Sequence, residues 1–308
     1  MLKMNRYILL LLALTFAVGN VIAQDEESEP KKKKSRAVSD MFSSGLLMDE
    51  QTSYMPSKNT LEMQIMHRFG LIQNNGIKDL FGIYAPSANT RMGLTYSILD
   101  NLSLGYGITR KNMYSDFGVK WKILEQTRKN EMPIDLTIYA NMAIDGRNES
   151  VFKTVTADSV YKFTNRLSYF AEVMLSRKFT TWFSLSLKGN FTHYNAVTAD
   201  TVGVRGMNHD VLGFGVMARF KFSPQSSLVI HYTMPFDLDN MKEHHTVTNK
   251  PFSNFGIGYQ VATATHAFEV FISASNGIIP QDTYMYNNAD WTKGEFRIGF
   301  NITRLWEF

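Results

Sequence analysis

Few stretches of this 308-residue chain offer ligating or nucleophilic side chains at a workable spacing. The richest is Asp237-Leu238-Asp239-Asn240 followed by Glu243-His244-His245, whose carboxylates and imidazoles are donors that a divalent cation takes. Its spacing is neither that of an EF-hand nor that of a zinc motif, so a solvated loop is expected and no metal site is assigned. Three Gly-x-Gly pairs, Gly105/Gly107, Gly213/Gly215 and Gly256/Gly258, lack the strand, turn and helix that a nucleotide site needs. They sit inside strand-like segments, on the polar register, where glycine relieves curvature or leaves space, either a pore or room for larger inward neighbours. The chain has no cysteine, which removes disulfides, Cys-ligated metals and a lipoprotein anchor. No catalytic residue and no cofactor is assigned.

What remains is charge placed at alternate positions. Glu62, Arg68, Arg91, Asp116, Lys120, Lys122, Asp135, Arg166, Glu172, Lys188, Arg219, Glu269, Glu295 and Arg297 fall on one register of a period-two pattern, and His231 joins them. Leu61, Ile65 and Phe69, Leu94, Tyr96 and Ile98, or Phe183, Leu185 and Leu187 occupy the other register, and His67 falls with these. An apolar face backing a polar face at period two is the mark of a β-strand. From Thr60 onward the pattern recurs about twelve times, in runs of roughly 9–14 residues, long enough for a tilted bilayer crossing.

Connections between the runs alternate in length. Leu99-Asp100-Asn101, Thr180-Thr181, 223–226 and 262–265 are tight turns; 70–87, 145–163, 196–208, 236–251 and 276–293 are long and polar. One long connection is missing, because 110–112 is short where a loop is due. In an outer-membrane barrel the short turns face the periplasm and the long loops face outside. Trp121, Trp182 and Trp306 then fall near the periplasmic ends, where an aromatic girdle belongs. Lipid cannot satisfy a free strand edge, so the sheet must close.

The N-terminus agrees with export. Lys3 and Arg6 precede an apolar run from Ile8 to Val18, and Val21-Ile22-Ala23 supplies a cleavage site, so residues 1–23 read as a signal peptide. Loss of Lys3 and Arg6 takes the formal charge from +4 to +2. The basic run at 31–36 follows an acidic run at 25–29 beside Pro30, which reads as a charged disordered linker over 24–40 and gives no nucleic-acid surface. Residues 41–59, with Phe42, Leu46, Leu47, Met48 and Tyr54, stay open between an extra strand, a plug in the lumen and a lid under it.

Several stretches together resemble a known family: Leu61 to His67-Arg68-Phe69-Gly70, Arg91-Met92-Gly93-Leu94-Thr95-Tyr96, Phe117-Gly118-Val119-Lys120-Trp121-Lys122, and Phe300-Asn301-Ile302-Thr303-Arg304. The family is an uncharacterised group of outer-membrane β-barrels of Bacteroidota-type bacteria, a domain of unknown function. The resemblance implies location and fold and carries over no site residues. A final amphipathic strand ending in Phe308 resembles the insertion signal of outer-membrane proteins.

The expectation is therefore an all-β chain: an antiparallel transmembrane barrel of about twelve strands over 60–308. Outer-membrane lipid and the barrel-insertion machinery are its expected partners. The inward charges are either a salt-bridged lumen or the lining of a pore or small-molecule site. Both signs occur, so no ion preference follows. His231 is expected to be hydrogen-bonded in the lumen and His67 to be interfacial. No outward Ser stands beside a His, the arrangement a barrel phospholipase needs, so a narrow porin or a structural, partner-binding barrel is expected before an enzyme.

Overall fold

The computed structural model describes residues 35–73, 76–153, 161–197, 199–201, 204–236 and 250–308. The stretch at 237–245, the leader and the linker up to residue 34 lie outside the described residues. Among the described residues, twelve antiparallel strands close into a barrel. They are β1 (Thr60–Leu71), β2 (Asn89–Leu99), β3 (Leu102–Thr109), β4 (Tyr114–Leu124), β5 (Asp135–Ile144) and β6 (Leu167–Lys178). The second half comprises β7 (Phe183–Tyr194), β8 (Asp210–Lys221), β9 (Ser226–Phe236), β10 (Asn254–Ala262), β11 (His266–Ser273) and β12 (Arg297–Glu307). Each strand pairs with its neighbours in the chain, and β12 returns to β1 through Ile302 opposite Ile65. Closure leaves no unpaired edge, the condition that hydrocarbon imposes on any sheet that crosses it.

The polarity of the molecule is inverted relative to a water-soluble domain. On β7, Leu187 is 41 % exposed while Ser186 beside it is fully buried. The paired register carries this across the sheet, with Leu187 opposite Val216 and Ser186 opposite Met217. Met92, Leu104, Phe117, Val173, Phe268 and Val270 are likewise exposed. His67 points outward with them, its ring stacked on Phe300 at 5.2 Å, as the register predicts. Trp121 and Trp182 are exposed close to the short-turn end, and Arg304 lies 4.9 Å from the Trp306 ring there. No described helix is long and apolar enough to cross a membrane.

The connections follow the predicted alternation, including a brief 3-10 turn (Lys111–Met113) at the loop end between β3 and β4. The exception is the turn-end connection at 125–134, which is longer than its counterparts. It serves as an anchor: Ala37 bridges to Thr127, Val38 N–H donates to Gln126 O at 2.8 Å, and Arg128 N–H donates to Arg36 O at 2.9 Å. Lys221, Lys178 and Arg219 then converge on Asp40. Residues 36–40, expected to be disordered, are therefore attached to the barrel mouth.

Beyond Asp40 the chain turns into the lumen. Residues 41–54 form no thirteenth strand; they fold as a small plug around a hairpin of Leu46–Leu47 paired with Glu50–Gln51. Met48 takes a positive φ of 48° at its tip, a position where a two-residue turn favours glycine. From the opposite end, the connection between β11 and β12 drops a short helix, α1 (Pro280–Met285), into the same space. The two inserts meet where Leu46 of the plug packs with Ile278 and the wall residue Met66.

Candidate functional site

The wall and the two inserts form one polar interior. At its centre stands Asp49, on the plug tip. Arg68 Nε–H of β1 donates to its Oδ1 at 2.7 Å, and neither side chain is exposed. Ser273 Oγ–H and Asn254 Nδ2–H, the latter at 3.1 Å, donate to Oδ2. The Asn254 amide is oriented for this, because its Oδ1 accepts from the Ala274 and Ser275 backbone. His231 was expected to be hydrogen-bonded, but neither of its ring nitrogens has a hydrogen-bond partner among the described residues; its Nε2 lies 3.6 Å from Asp49 Oδ2, too far for a bond. Burial pushes the Asp49 carboxyl up, but Arg68, His231 and Ser273 together outweigh it and hold the group below its ordinary range.

The guanidinium of Arg68 is fixed on every side. It also donates to Asn301 Oδ1 at 3.0 Å and Met48 O at 3.0 Å, and it lies 4.5 Å from the Phe271 ring. Met48 is gripped through both its backbone groups, since its N–H reaches Glu269 Oε2 at 2.7 Å and its carbonyl accepts from Asn301 at 2.9 Å. Such bonds hold the unusual backbone at the tip. A second wall cation, Lys188 Nζ of β7, donates to Glu50 Oε2 at 2.9 Å and Gln51 O at 2.5 Å, with Glu172 at 3.5 Å. Lys120 reaches Gly45 O at 3.0 Å, while Glu62 accepts from Gly45 N–H at 3.1 Å.

Above the plug, Arg91 forks onto Asp116, its Nε and Nη2 at 2.9 and 2.8 Å from the two oxygens. Asn141 bridges from Asp116 to Gln281 of α1. Asp282 of α1 accepts from Tyr194 and Tyr114 at 2.8 and 3.1 Å and pairs with Lys111 at 3.3 Å. Tyr284 is fully buried beside Tyr139, Phe170 and Met174, where burial and then Glu50 and Glu172 raise its hydroxyl well above the usual range. Between Gln51 of the plug and the wall, a cavity lined by Gln64, Arg91, Asp116, Lys120 and Tyr139 measures about 20 Å³, room for roughly one water. Beside the plug at the turn end, a groove of about 420 Å³ runs past Asp40, Phe42, Tyr54, Lys221 and Gln225.

Most of the residues singled out by register share this interior. Glu62, Arg68, Arg91, Asp116, Lys120, Asp135, Glu172, Lys188, Arg219, His231, Glu269 and Arg297 are buried on the inner face. Lys122 joins them at the turn end, 3.6 Å from Asp135. Two placements need correction. Arg166 is in phase with β6 but lies before it, in a 3-10 turn, and ties the 145–166 connection by donating to Asp145 O and Arg147 O. Glu295 precedes β12 and accepts from Asp290 N–H at 2.7 Å within its own loop. A register assigns a side only where a strand exists, and both residues lie past the strand ends. The inward glycines also differ from a pore's lining. A Cβ on Gly213 would come 2.5 Å from the Tyr284 ring, and one on Gly107 would run into the Arg91 guanidinium. Their space is occupied by larger inward neighbours.

Ser273 falls on the inward register, but Asp49, Glu50, Asp282 and Tyr284 on the inserts were not marked by the strand pattern. Their signal is compositional: both inserts carry residues too apolar for exposed connections, Leu46-Leu47-Met48 and Ile278-Ile279, next to buried acids.

A closed sheet with an apolar outside and a charged inside defines a transmembrane β-barrel of the outer-membrane type. The chain belongs to the family described as membrane bound beta barrel domain (DUF5777), whose match spans residues 42–306 and so takes in the plug as well as the strands. Among solved structures the chain is similar to the NanC porin, at 9% identity and a TM-score of 0.48, covering 80% of this chain and 99% of that one. It is similar to the COG4313 outer membrane channel from Pseudomonas putida F1 at 12% identity and a TM-score of 0.46, covering 82% and 97%. The KdgM porin follows at 5% identity and a TM-score of 0.45, covering 80% and 98%. No curated protein sequence is detectably similar to the chain.

Proposed function

We propose that this protein is an outer-membrane passage for small solutes, held shut by its own N-terminal segment. One observation carries the reading: the lumen is blocked by a tethered hairpin bound through buried ion pairs to a charged wall, and both ends of that hairpin leave through the same mouth. A barrel needing only a filled core would gain more from apolar packing, since a buried ion pair contributes little net stability. In this reading the short-turn end faces the periplasm, residues 1–23 are removed on export, and the insertion machinery takes up the C-terminal strand into a Bacteroidota-type outer membrane. No side chain acts as a catalyst.

The test is planar-bilayer recording of the full chain beside an Asp49→Asn, Glu50→Gln double variant. The wild type is expected to conduct rarely and the variant to show long open events. A folded variant that stays closed would hand the protein to the second reading, a structural or partner-binding barrel, which the filled lumen favours.

A further inference from the structure

We infer that the wall around the plug tip is a binding site for small carboxylate anions, with Asp49 and Glu50 as its resident occupants. The inference rests on the gated-passage reading and adds the class of solute. Around Asp49 the donors belong to the wall and not to the plug: Arg68, Asn254, Ser273 and His231 come from β1, β10, β11 and β9. All four are fully buried, and apart from the plug carboxylate their positions are set by neighbours. Arg68 is held by Asn301 and the Phe271 ring, and Asn254 by the backbone of Ala274 and Ser275. One guanidinium N–H, an amide and a hydroxyl converging on two oxygens make a set of donors that recognises a carboxylate. Neither ring nitrogen of His231 is hydrogen-bonded among the described residues, which leaves one more donor facing the site.

The charge balance points the same way. With the plug withdrawn, Arg91 keeps Asp116, Lys122 keeps Asp135 and Lys188 keeps Glu172. Arg68 loses its ion pair, and Lys188 loses the nearer of its two. The plug thus brings two carboxylates; on its withdrawal Arg68 is the wall cation left without an ion pair, while the wall acids Glu269 and Glu62 lose the Met48 and Gly45 N–H groups. A solute with two carboxylates would take over both positions and compete with the hairpin, so that the ligand itself favours opening.

The probe is succinate, with 1,4-diaminobutane as its cationic counterpart. Calorimetric binding is measured on the full-length wild type, on the Asp49→Ala, Glu50→Ala variant and on the gentler Asp49→Asn, Glu50→Gln variant, each checked for a folded barrel by heat-modifiable gel migration. Succinate is expected to bind at least one folded variant at least tenfold more tightly than the wild type, and adding Arg68→Gln is expected to abolish that gain. No succinate binding by any folded variant, or equal binding of the diamine, overturns the site. Bilayer reversal potentials separate the two claims. Succinate binding without conductance would sink the passage and keep the site. Conductance with cation preference and no succinate binding would sink the site and keep the passage.

Discussion

Replacing Asp49 by Asn removes one charge from a pair whose two side chains are wholly buried. Breaking such a pair on one side costs about 3–5 kcal/mol, because the remaining charge stays desolvated and uncompensated. The Asn carbonyl still accepts one of the former donors, which places the expected loss at the lower end, about 3 kcal/mol. At 1.36 kcal/mol per tenfold, the plug should visit its undocked state about a hundred times more often. The absence of native cysteine allows a direct assay. Ser53 is 1 % exposed in the plug, and as Ser53→Cys it becomes the one thiol in the chain. Maleimide labelling of that thiol in the folded barrel should accelerate by about two orders of magnitude in the Asp49→Asn background. Equal labelling rates with and without Asp49 would mean that the ion pair does not hold the plug in the lumen.

Because Asp49 is held below its ordinary pKa, its contribution is present above the unfolded value near 3.8 and is lost as pH falls through the lower folded value. The labelling difference between wild type and Asp49→Asn should therefore persist at neutral pH and begin to shrink only below about pH 4; a difference that vanishes already at pH 6 would contradict the assignment. Leu187→Arg puts a charge on the lipid face and should cost about 2–4 kcal/mol in urea-dependent refolding into vesicles if it lies near the midplane. Ser186→Arg should also impair refolding, because Ser186 is fully buried and bonded to Ser176 at 2.8 Å; free tolerance of that arginine would show an open, watery lumen instead. Tyr284→Ala should cost about 3 kcal/mol or more by emptying a buried aromatic site, read as a lower refolding midpoint; no shift would show that α1 is loosely seated. An epitope inserted at Asn148 should be reachable on intact cells and one at Asn101 should not, and the opposite result would invert the barrel.

The strands were readable because membrane and lumen impose opposite polarity on successive residues. Leu187 and Ser186 state the side of β7 without any knowledge of its partners. That same rule overreached at Arg166 and Glu295, which keep the phase while the backbone has already left the strand. The plug was legible only as an open choice. Residues 41–54 are too short and too irregular for a period, and their role depends on contacts far away in sequence, such as Met48 with Glu269 and Asp49 with Ser273. Register could show that Arg68 and Lys188 point inward. It could not show that their nearest carboxylates sit on the plug, because no local pattern links residues 49 and 50 to strands that begin ten and more than a hundred residues later. The glycines stayed an open choice between a pore and room for larger inward neighbours for a related reason: a missing side chain marks space, and only the fold tells which neighbour fills it.

The anchoring of Arg36, Val38 and Asp40 at one rim has a mechanical consequence. A hairpin whose two ends emerge on the same side is loaded by traction as a zipper, one bond at a time, and not in shear across all of them at once. Tension applied at Arg36 would first part the bridge between Ala37 and Thr127, then the lysine and arginine clasp on Asp40, and only afterwards reach the tip. Peeling of this kind needs a small peak force sustained over a distance, the sort of work that a partner pulling from the turn side could deliver, while pressure on α1 from the opposite side would drive the plug no further out than its tether allows.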